Sequence, residues 1–204
     1  MNLMFFNRAS LEGGSFRSVC SNLDVPIQLM IGIDTGTTLC KLAASSPNEM
    51  FVGIEIKSHQ AREAYLRAKR LKVDNAIIIN EEAEFFLTNY CPTSVFSAVH
   101  IYFPTPYVAA LQKLDQSLAH RLFVRKFVDE LYRVVLPGGS VRIATDVADY
   151  YRTIESLFDY SRWMQVNWSE LRIRKPKGFL IGTPCERDYR RAGRQIWAVE
   201  LLRI

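Results

Sequence analysis

A glycine-containing turn and an acidic residue follow the first two long apolar runs of this sequence. Gly32, Asp34 and Gly36 lie at the end of run 26–33, just before residues with helical spacing. Backbone N–H groups at such a strand-to-helix turn can approach a ligand closely. Glu55 ends the next run, at the spacing from which a carboxylate accepts both ribose hydroxyls of a nucleoside. The pattern predicts a nucleoside site, and a plain tight turn is the alternative.

A second acidic position follows the third apolar run. Glu82 and Ala83 come after residues 76–79, at the start of a short predicted helix. A carboxylate in this place can accept a hydrogen bond from the amino group of adenine, and it can equally be an ordinary acid in a first helical turn. Together with Glu55, this position favours an adenosyl ligand.

Alternating strands and helices are predicted to position these residues. Runs of apolar residues indicate strands, and apolar residues three and four positions apart indicate helices. The strands are predicted at 26–33, 50–56, 76–79, 95–103, 140–144, 178–181 and 195–203. The helices are predicted around 39–43 and at 58–71, 82–89, 112–135, 147–158 and 187–191. Successive strand–helix units predict an α/β fold with a mainly parallel, doubly wound sheet of seven strands.

Two segments differ from this alternation. Residues 1–24 are rich in Asn, Ser and Gly and predict an N-terminal arm that need not be fully ordered, which leaves residues 25–204 as the folded domain. Leu136-Pro137-Gly138-Gly139 predicts a turn that closes the long helix before it.

Composition favours one globular domain. Of the 204 residues, 49% are hydrophobic and 23% charged. No apolar run approaches the roughly 20 residues needed to cross a bilayer, and no segment has the core of a signal peptide. The four cysteines and three histidines lack the spacing of a metal site or a disulfide framework. We therefore expect a cytoplasmic monomer or homodimer that binds no metal and no membrane.

The positive charge is concentrated near the C-terminus. Residues 171–204 contain nine Lys and Arg against three Asp and Glu, whereas the rest of the chain contains 17 against 18. A contact with phosphate or another anion explains this distribution, and a solvated basic surface is the alternative.

Four motifs occur in the order found in one known family. They are FVGIE at 51–55, YFPTPY at 102–107, LPGG at 136–139 with ATD at 144–146, and TPCE at 183–186. From about residue 27 to the C-terminus, the chain resembles the bacterial tRNA (guanine-N7)-methyltransferases. The resemblance implies a Rossmann-like class I methyltransferase fold with an antiparallel closing strand, and S-adenosyl-L-methionine as cofactor.

The resemblance also implies a site. The cofactor would contact Gly32, Asp34, Gly36, Glu55, Glu82 and Ala83. The acceptor would contact Tyr102, Phe103, Tyr107, Thr145 and Thr183, and the catalytic residues would be Asp146, Glu186 and Thr105. Guanine N7 carries a free lone pair, so such a site must orient the base rather than deprotonate it.

The chain departs from the family in both halves of this site. Met30 stands where the family usually has an acid, and Asp34 where it usually has a glycine. The family's Pro-Asp-Pro-Trp is here Pro-Thr-Pro-Tyr at 104–107, which removes the usual catalytic acid. The basic stretch that normally follows is here the largely apolar VAALQK at 108–113, which removes phosphate contacts.

Three functions are compatible with these observations. The first is an RNA guanine-N7 methyltransferase whose RNA contacts have moved to the basic region 172–194. The second is a small-molecule N-methyltransferase that acts on a purine-like or other fused nitrogen heterocycle in natural product biosynthesis. The third is a non-catalytic protein that binds S-adenosylmethionine or RNA. Retention of Glu55, Asp146 and Glu186 argues against the third, because buried carboxylates without a partner are costly.

Overall fold

The computed structural model describes residues 2–105, 122–171 and 183–204, and the side chains of all these residues except 167–171. The described strands are β1 (Met4–Asn7), β2 (Ile27–Ile31), β3 (Met50–Ile54), β4 (Ala76–Asn80), β5 (Phe96–Tyr102), β6 (Val135–Thr145), β7 (Trp163–Leu171) and β8 (Ile196–Arg203). The described helices are α1 (Arg8–Leu11), α2 (Ser15–Ser21), α3 (Thr37–Ser45), α4 (Ser58–Arg70), α5 (Ala83–Tyr90), α6 (Arg125–Val134), α7 (Ala148–Leu157) and α8 (Pro184–Arg191).

The strands form one sheet in the order β1-β4-β3-β2-β5-β6-β8-β7. Neighbouring strands from β1 to β6 run parallel, whereas β8 runs antiparallel to both β6 and β7. The prediction of a mainly parallel α/β sheet with an antiparallel closing strand is therefore confirmed. The predicted number of seven strands is wrong, since the described residues form eight.

Helices cover both faces of the sheet. Residues of α3 and α4 pack in one apolar cluster with Met30, Phe51 and Ile78. Residues of α5, α6 and α7 belong to a larger cluster on the opposite face. All five residues of β3 are buried, which explains why this strand is a continuous apolar run rather than an alternating one. No helix in the described ranges is both long and apolar enough to cross a membrane.

Residues 4–21, predicted from the sequence as part of an arm, form a strand and two helices. Strand β1 adds to the edge of the sheet beside β4, with Met4 opposite Ile77. Leu11 and Phe16 are buried in the larger core cluster. The Arg8 guanidinium donates two hydrogen bonds to the Glu81 carboxylate, at 2.6 and 2.7 Å, and fixes the end of β1 to the end of β4.

The C-terminal half differs from the prediction in three places. Strand β7, at residues 163–171, was not predicted, and the strand predicted at 178–181 lies outside the described residues. Of the helix predicted at 112–135, the described part is α6. The sequence at 136–139 lies inside β6 rather than closing a helix, and the β5–β6 register is irregular there.

Candidate active site

A cleft lies where the order of the strands reverses. Strands β2 and β5 are neighbours, yet the chain builds outward from β2 through β3 and β4 and in the opposite direction from β5 through β6. Ligands of open α/β sheets bind beyond the carboxyl ends of the strands at this point. The cleft is lined by residues 30–34, Thr37, Thr38, Tyr102, Phe103 and residues 183–185.

The turn after β2 has three residues in the left-handed conformation. The φ angles are 74° for Gly32, 50° for Asp34 and 76° for Gly36. Aspartate tolerates this conformation better than most side chains. Asp34 therefore keeps the backbone shape expected of a glycine, while it adds an exposed carboxylate to the turn. The departure from the family pattern changes the charge of the turn more than its shape.

Glu55 connects this turn to the end of β3. Its carboxylate is buried, with 7% of the residue exposed. One oxygen accepts a hydrogen bond from the Asp34 N–H at 2.9 Å, and the other accepts one from the Lys57 N–H at 3.0 Å. The two bonds hold the acid and the turn in one rigid unit at the edge where a nucleoside is expected.

Glu82 is the N-terminal cap of α5. Its two carboxylate oxygens accept hydrogen bonds from the N–H groups of Glu84 and Phe85, at 2.9 and 2.7 Å. Ala83, the first residue of the helix, is buried. Asn80 donates from its side chain to the Glu55 and Ile56 carbonyls, so the ends of β3 and β4 are joined. Glu82 and Ala83 thus lie just beyond the end of β4, next to the strand that leads to Glu55, and both oxygens of the Glu82 carboxylate are engaged.

Thr145 ends β6 and Asp146 follows it, and the side chains of both have hydrogen-bond partners. Thr145 is 1% exposed, and its hydroxyl accepts a hydrogen bond from the Val147 N–H at 3.3 Å. Asp146 accepts a hydrogen bond from Arg194 at 2.5 Å. The Asp146 carboxylate is therefore fixed by an arginine that lies between α8 and β8.

Thr183 and Glu186 belong to the first turn of α8. The Thr183 hydroxyl caps the helix by accepting from the Glu186 N–H at 3.0 Å. Glu186 is 2% exposed and pairs with Arg190 one turn further on, at 2.6 Å. The cleft is lined by Thr183, while Glu186 lies behind it in the helix.

The end of β5 contributes aromatic surface. Tyr102 and Phe103 line the cleft, and Phe103 has a φ angle of 53°, which is rare for a bulky side chain. Its ring packs edge to face on Tyr189 of α8, with centroids 5.2 Å apart. Thr105 is exposed at the end of this described range, and Tyr107 lies outside the described residues.

Several residues of the described site were not predicted from the sequence, among them Thr37 and Thr38 of the cleft lining, Cys185 and two arginines. Cys185 lines the cleft, and burial and the nearby Asp34 carboxylate raise the pKa of its thiol, which keeps it protonated at neutral pH. The Arg190 pair has a sequence signal, because Glu186 lies four positions before it on a helix. The pair of Arg194 with Asp146 joins residues 48 positions apart, so no local sequence pattern indicates it.

Residues 24–199 match the sequence profile of the family described as "Putative methyltransferase". The chain belongs to this methyltransferase family. A relative from Rubrobacter xylanophilus, named tRNA (guanine-N(7)-)-methyltransferase, is 28% identical over 87% of this methyltransferase and 77% of the relative. A relative of the same name from Wolinella succinogenes is 26% identical, and the match spans 82% of this chain but 40% of that protein.

The methyltransferase also shares its fold with solved structures. Over 93% of each chain it superposes on the 16S rRNA methyltransferase KamB, with a TM-score of 0.64 and 14% identity. At this identity the likeness concerns the fold.

Glu186→Gln is expected to destabilise the methyltransferase by about 1–3 kcal/mol, because the buried Arg190 guanidinium loses its charged partner. Equilibrium denaturation in urea measures the change. Asp188→Asn is the matched control, since this exposed acid of the same helix lies 3.8 Å from Arg191 and contributes little. Equal losses in both variants would contradict a structural role of the buried pair.

Proposed function

We propose that this methyltransferase transfers the methyl group of S-adenosyl-L-methionine to a ring nitrogen of a guanine base in tRNA. The observation that carries the proposal is the rigid unit formed by the left-handed turn after β2 and the buried carboxylate of Glu55. The names of the two relatives support the acceptor.

The residues present fit the cofactor. A carboxylate offers about four acceptor positions. The N–H groups of Asp34 and Lys57 use two of those of Glu55. The remaining two suit the ribose hydroxyls. The exposed backbone of Gly32 allows close approach to the turn. Gly36 is buried against Ala64 of α4, so its lack of a side chain serves the packing of the turn. Glu82 and Ala83 lie at the adjoining strand end for the adenine.

When bound, the cofactor supplies an electrophilic methyl group on a positively charged sulfur. Guanine N7 has a lone pair and no proton, so none of the residues needs to act as a base. The contribution of the chain is to align the acceptor with the methyl group. Tyr102, Phe103 and Thr183 face the acceptor side of the cleft. Thr105 provides a neutral hydrogen-bonding group where the family has an acid.

On the acceptor side of the cleft, the two acids contribute indirectly in this scheme, through the arginines with which they pair. Asp146 and Glu186 are held by Arg194 and Arg190, which fix both carboxylates relative to the cleft. Because each is paired, they keep α8 and the loop after β6 in position beside the cleft rather than exchange protons.

A second candidate is a free nitrogen heterocycle as acceptor. It is favoured by the same two ion pairs, because they neutralise part of the positive charge that would otherwise attract phosphates. The Arg190 side chain is largely buried in its pair, whereas that of Arg194 is about half exposed. The neutral Thr105 also suits an acceptor other than the family's usual base.

The two acceptors are distinguished by incubation with radiolabelled S-adenosylmethionine and either undermethylated tRNA or a panel of free purines. The proposal predicts label in tRNA, released as 7-methylguanine after digestion. Label found only in a free purine would contradict the proposal and support the second candidate. Label in neither, despite cofactor binding, would overturn both.

Glu55→Gln is expected to weaken binding of S-adenosylhomocysteine about 10- to 100-fold, because one carboxylate oxygen becomes an amide that opposes a backbone N–H. Titration calorimetry measures the affinity. Asp74→Asn is the control, since Asp74 is exposed before β4, at the opposite edge of the sheet. An unchanged affinity of the Glu55→Gln variant for S-adenosylhomocysteine would show that Glu55 does not bind the cofactor.

A further inference from the structure

A partly buried chain of hydrogen bonds, with His100 at its centre, runs along one face of the sheet to the candidate cleft. Glu49, just before β3, contacts the side-chain amide of Gln28 on β2. The Gln28 side-chain oxygen lies 2.6 Å from Nε2 of His100 on β5. Nδ1 of His100 lies 2.9 Å from the Tyr102 hydroxyl, and Tyr102 lines the cleft.

The chemistry of the groups sets the direction of every bond in this chain. The Glu49 carboxylate only accepts, so the Gln28 amide donates to it and directs its oxygen at His100. That oxygen requires a proton on Nε2 of the imidazole. In the neutral ring Nδ1 is then the acceptor, and the Tyr102 hydroxyl donates to it. Four side chains, two on β5, one on β2 and one just before β3, thus agree on one arrangement.

His100 is suited to keep this arrangement unchanged. It is fully buried, with no exposed surface. Burial, and then the positive charge of Arg142, lower the pKa of His100 to about 3, while Glu200 has the opposite effect. The ring therefore stays neutral, in one tautomer, over the pH range in which enzymes of this kind work.

The hydrogen-bond chain constrains the Tyr102 ring at the cleft. Tyr102 is the last residue of β5, and the backbone leaves the strand at Phe103 with its positive φ angle. The hydroxyl is tied to His100, two residues earlier on the same face of the strand. An aromatic ring fixed at both its backbone and its hydroxyl presents one surface to the cleft.

We propose that Tyr102 is the residue that positions the methyl acceptor, a flat nitrogen heterocycle, and that the chain Glu49–Gln28–His100 holds its ring in the required orientation. This inference rests on the proposed function. A near-attack arrangement depends on the orientation of the acceptor, and a locked aromatic surface provides it without reorganisation on binding. His100 and Gln28 act through Tyr102 and are positioning residues.

The hydrogen-bond chain is tested first by ¹⁵N NMR of the histidine rings in the full-length protein. His100 is expected to show a protonated Nε2 and a bare Nδ1, unchanged between about pH 5 and pH 8. The Nδ1-protonated tautomer, or titration in this range, would contradict the proposed arrangement of these hydrogen bonds. This measurement requires neither substrate nor activity.

The positioning role is tested by steady-state kinetics of Tyr102→Phe, His100→Gln and the double variant. Each single variant is expected to raise KM for the acceptor about three- to tenfold, with kcat and S-adenosylhomocysteine affinity nearly unchanged. The double variant should add little, because both changes break the same bond. Tyr132→Phe is the control, since this hydroxyl contacts the Ile204 carbonyl on another part of the protein.

The results separate this inference from the proposed function. No methyl transfer by the wild-type protein would overturn the proposed function. An active wild type with unchanged acceptor KM in Tyr102→Phe would overturn the positioning role alone. Fully additive effects, or an equal loss of cofactor affinity, would show a general disturbance of the fold and would also overturn it.

Discussion

Replacing Gly36 by alanine is expected to lower the free energy of unfolding by about 2–4 kcal/mol. Gly36 has a φ angle of 76°, which is unfavourable for a residue with a side chain. A Cβ atom there would lie 2.7 Å from the Cβ and 2.9 Å from the Cα of Ala64 on α4. Because the second contact is with backbone, α3 and α4 would have to separate.

Gly32→Ala is the matched control for this substitution. Gly32 has almost the same φ angle, 74°, but a Cβ atom there would meet nothing within 4 Å. It is expected to cost about 1 kcal/mol, from backbone strain alone. Urea denaturation of both variants measures the difference, and equal losses would contradict a close contact between the turn and α4.

Acidification from about pH 7 to pH 4 is expected to remove about 3 kcal/mol of stability through His100 alone. The pKa of His100 is lowered to about 3, from an ordinary value near 6.5. Below pH 6.5 the unfolded chain takes up a proton that the folded protein excludes. The stability is therefore complete above pH 6.5 and declines as the pH falls toward the folded pKa.

Comparison of variants isolates this contribution from the titration of carboxylates. His100→Gln should show a flatter decline of unfolding free energy with falling pH than the wild type. His59→Gln should keep the wild-type slope, because His59 is exposed at the start of α4. Parallel curves for all three proteins would show that His100 is accessible to protons in the folded state.

The central strands could be predicted because burial of both faces of a strand produces a run of consecutive apolar residues. Strands β2, β3 and β4 are covered on both faces, so they consist almost entirely of buried apolar residues. Edge strands lack this constraint. Strand β1 has only three apolar residues, which alternate between half-buried and exposed, and β7 exposes Met164 and Val166, so neither has the long buried apolar run of a central strand.

The sequence predicts candidate residues for the site, but it does not show the partners that these residues have in the fold. The position of Glu55 at a strand end follows from the sequence, because its spacing from the glycine turn reflects one strand–helix–strand unit. The role of Glu82 as a helix cap depends on two hydrogen bonds to the backbone of α5, which the sequence alone does not distinguish from an acid that is open to a ligand. The contacts of His100 depend on the β2–β5 register, which pairs residues about 70 positions apart and leaves no local signal.

The pairing of β1 with β4 also has a consequence for how the protein assembles. Residues 4–7 are synthesised before their partners at 77–80, and β2, β3 and the four helices α1 to α4 lie between them in the sequence. Such a long sequence separation delays contact formation, because the intervening chain must first be ordered. The N-terminal strand is therefore expected to join the sheet late, with Arg8 and Glu81 forming the last link. Until then the edge of β4 is open to strands of other chains.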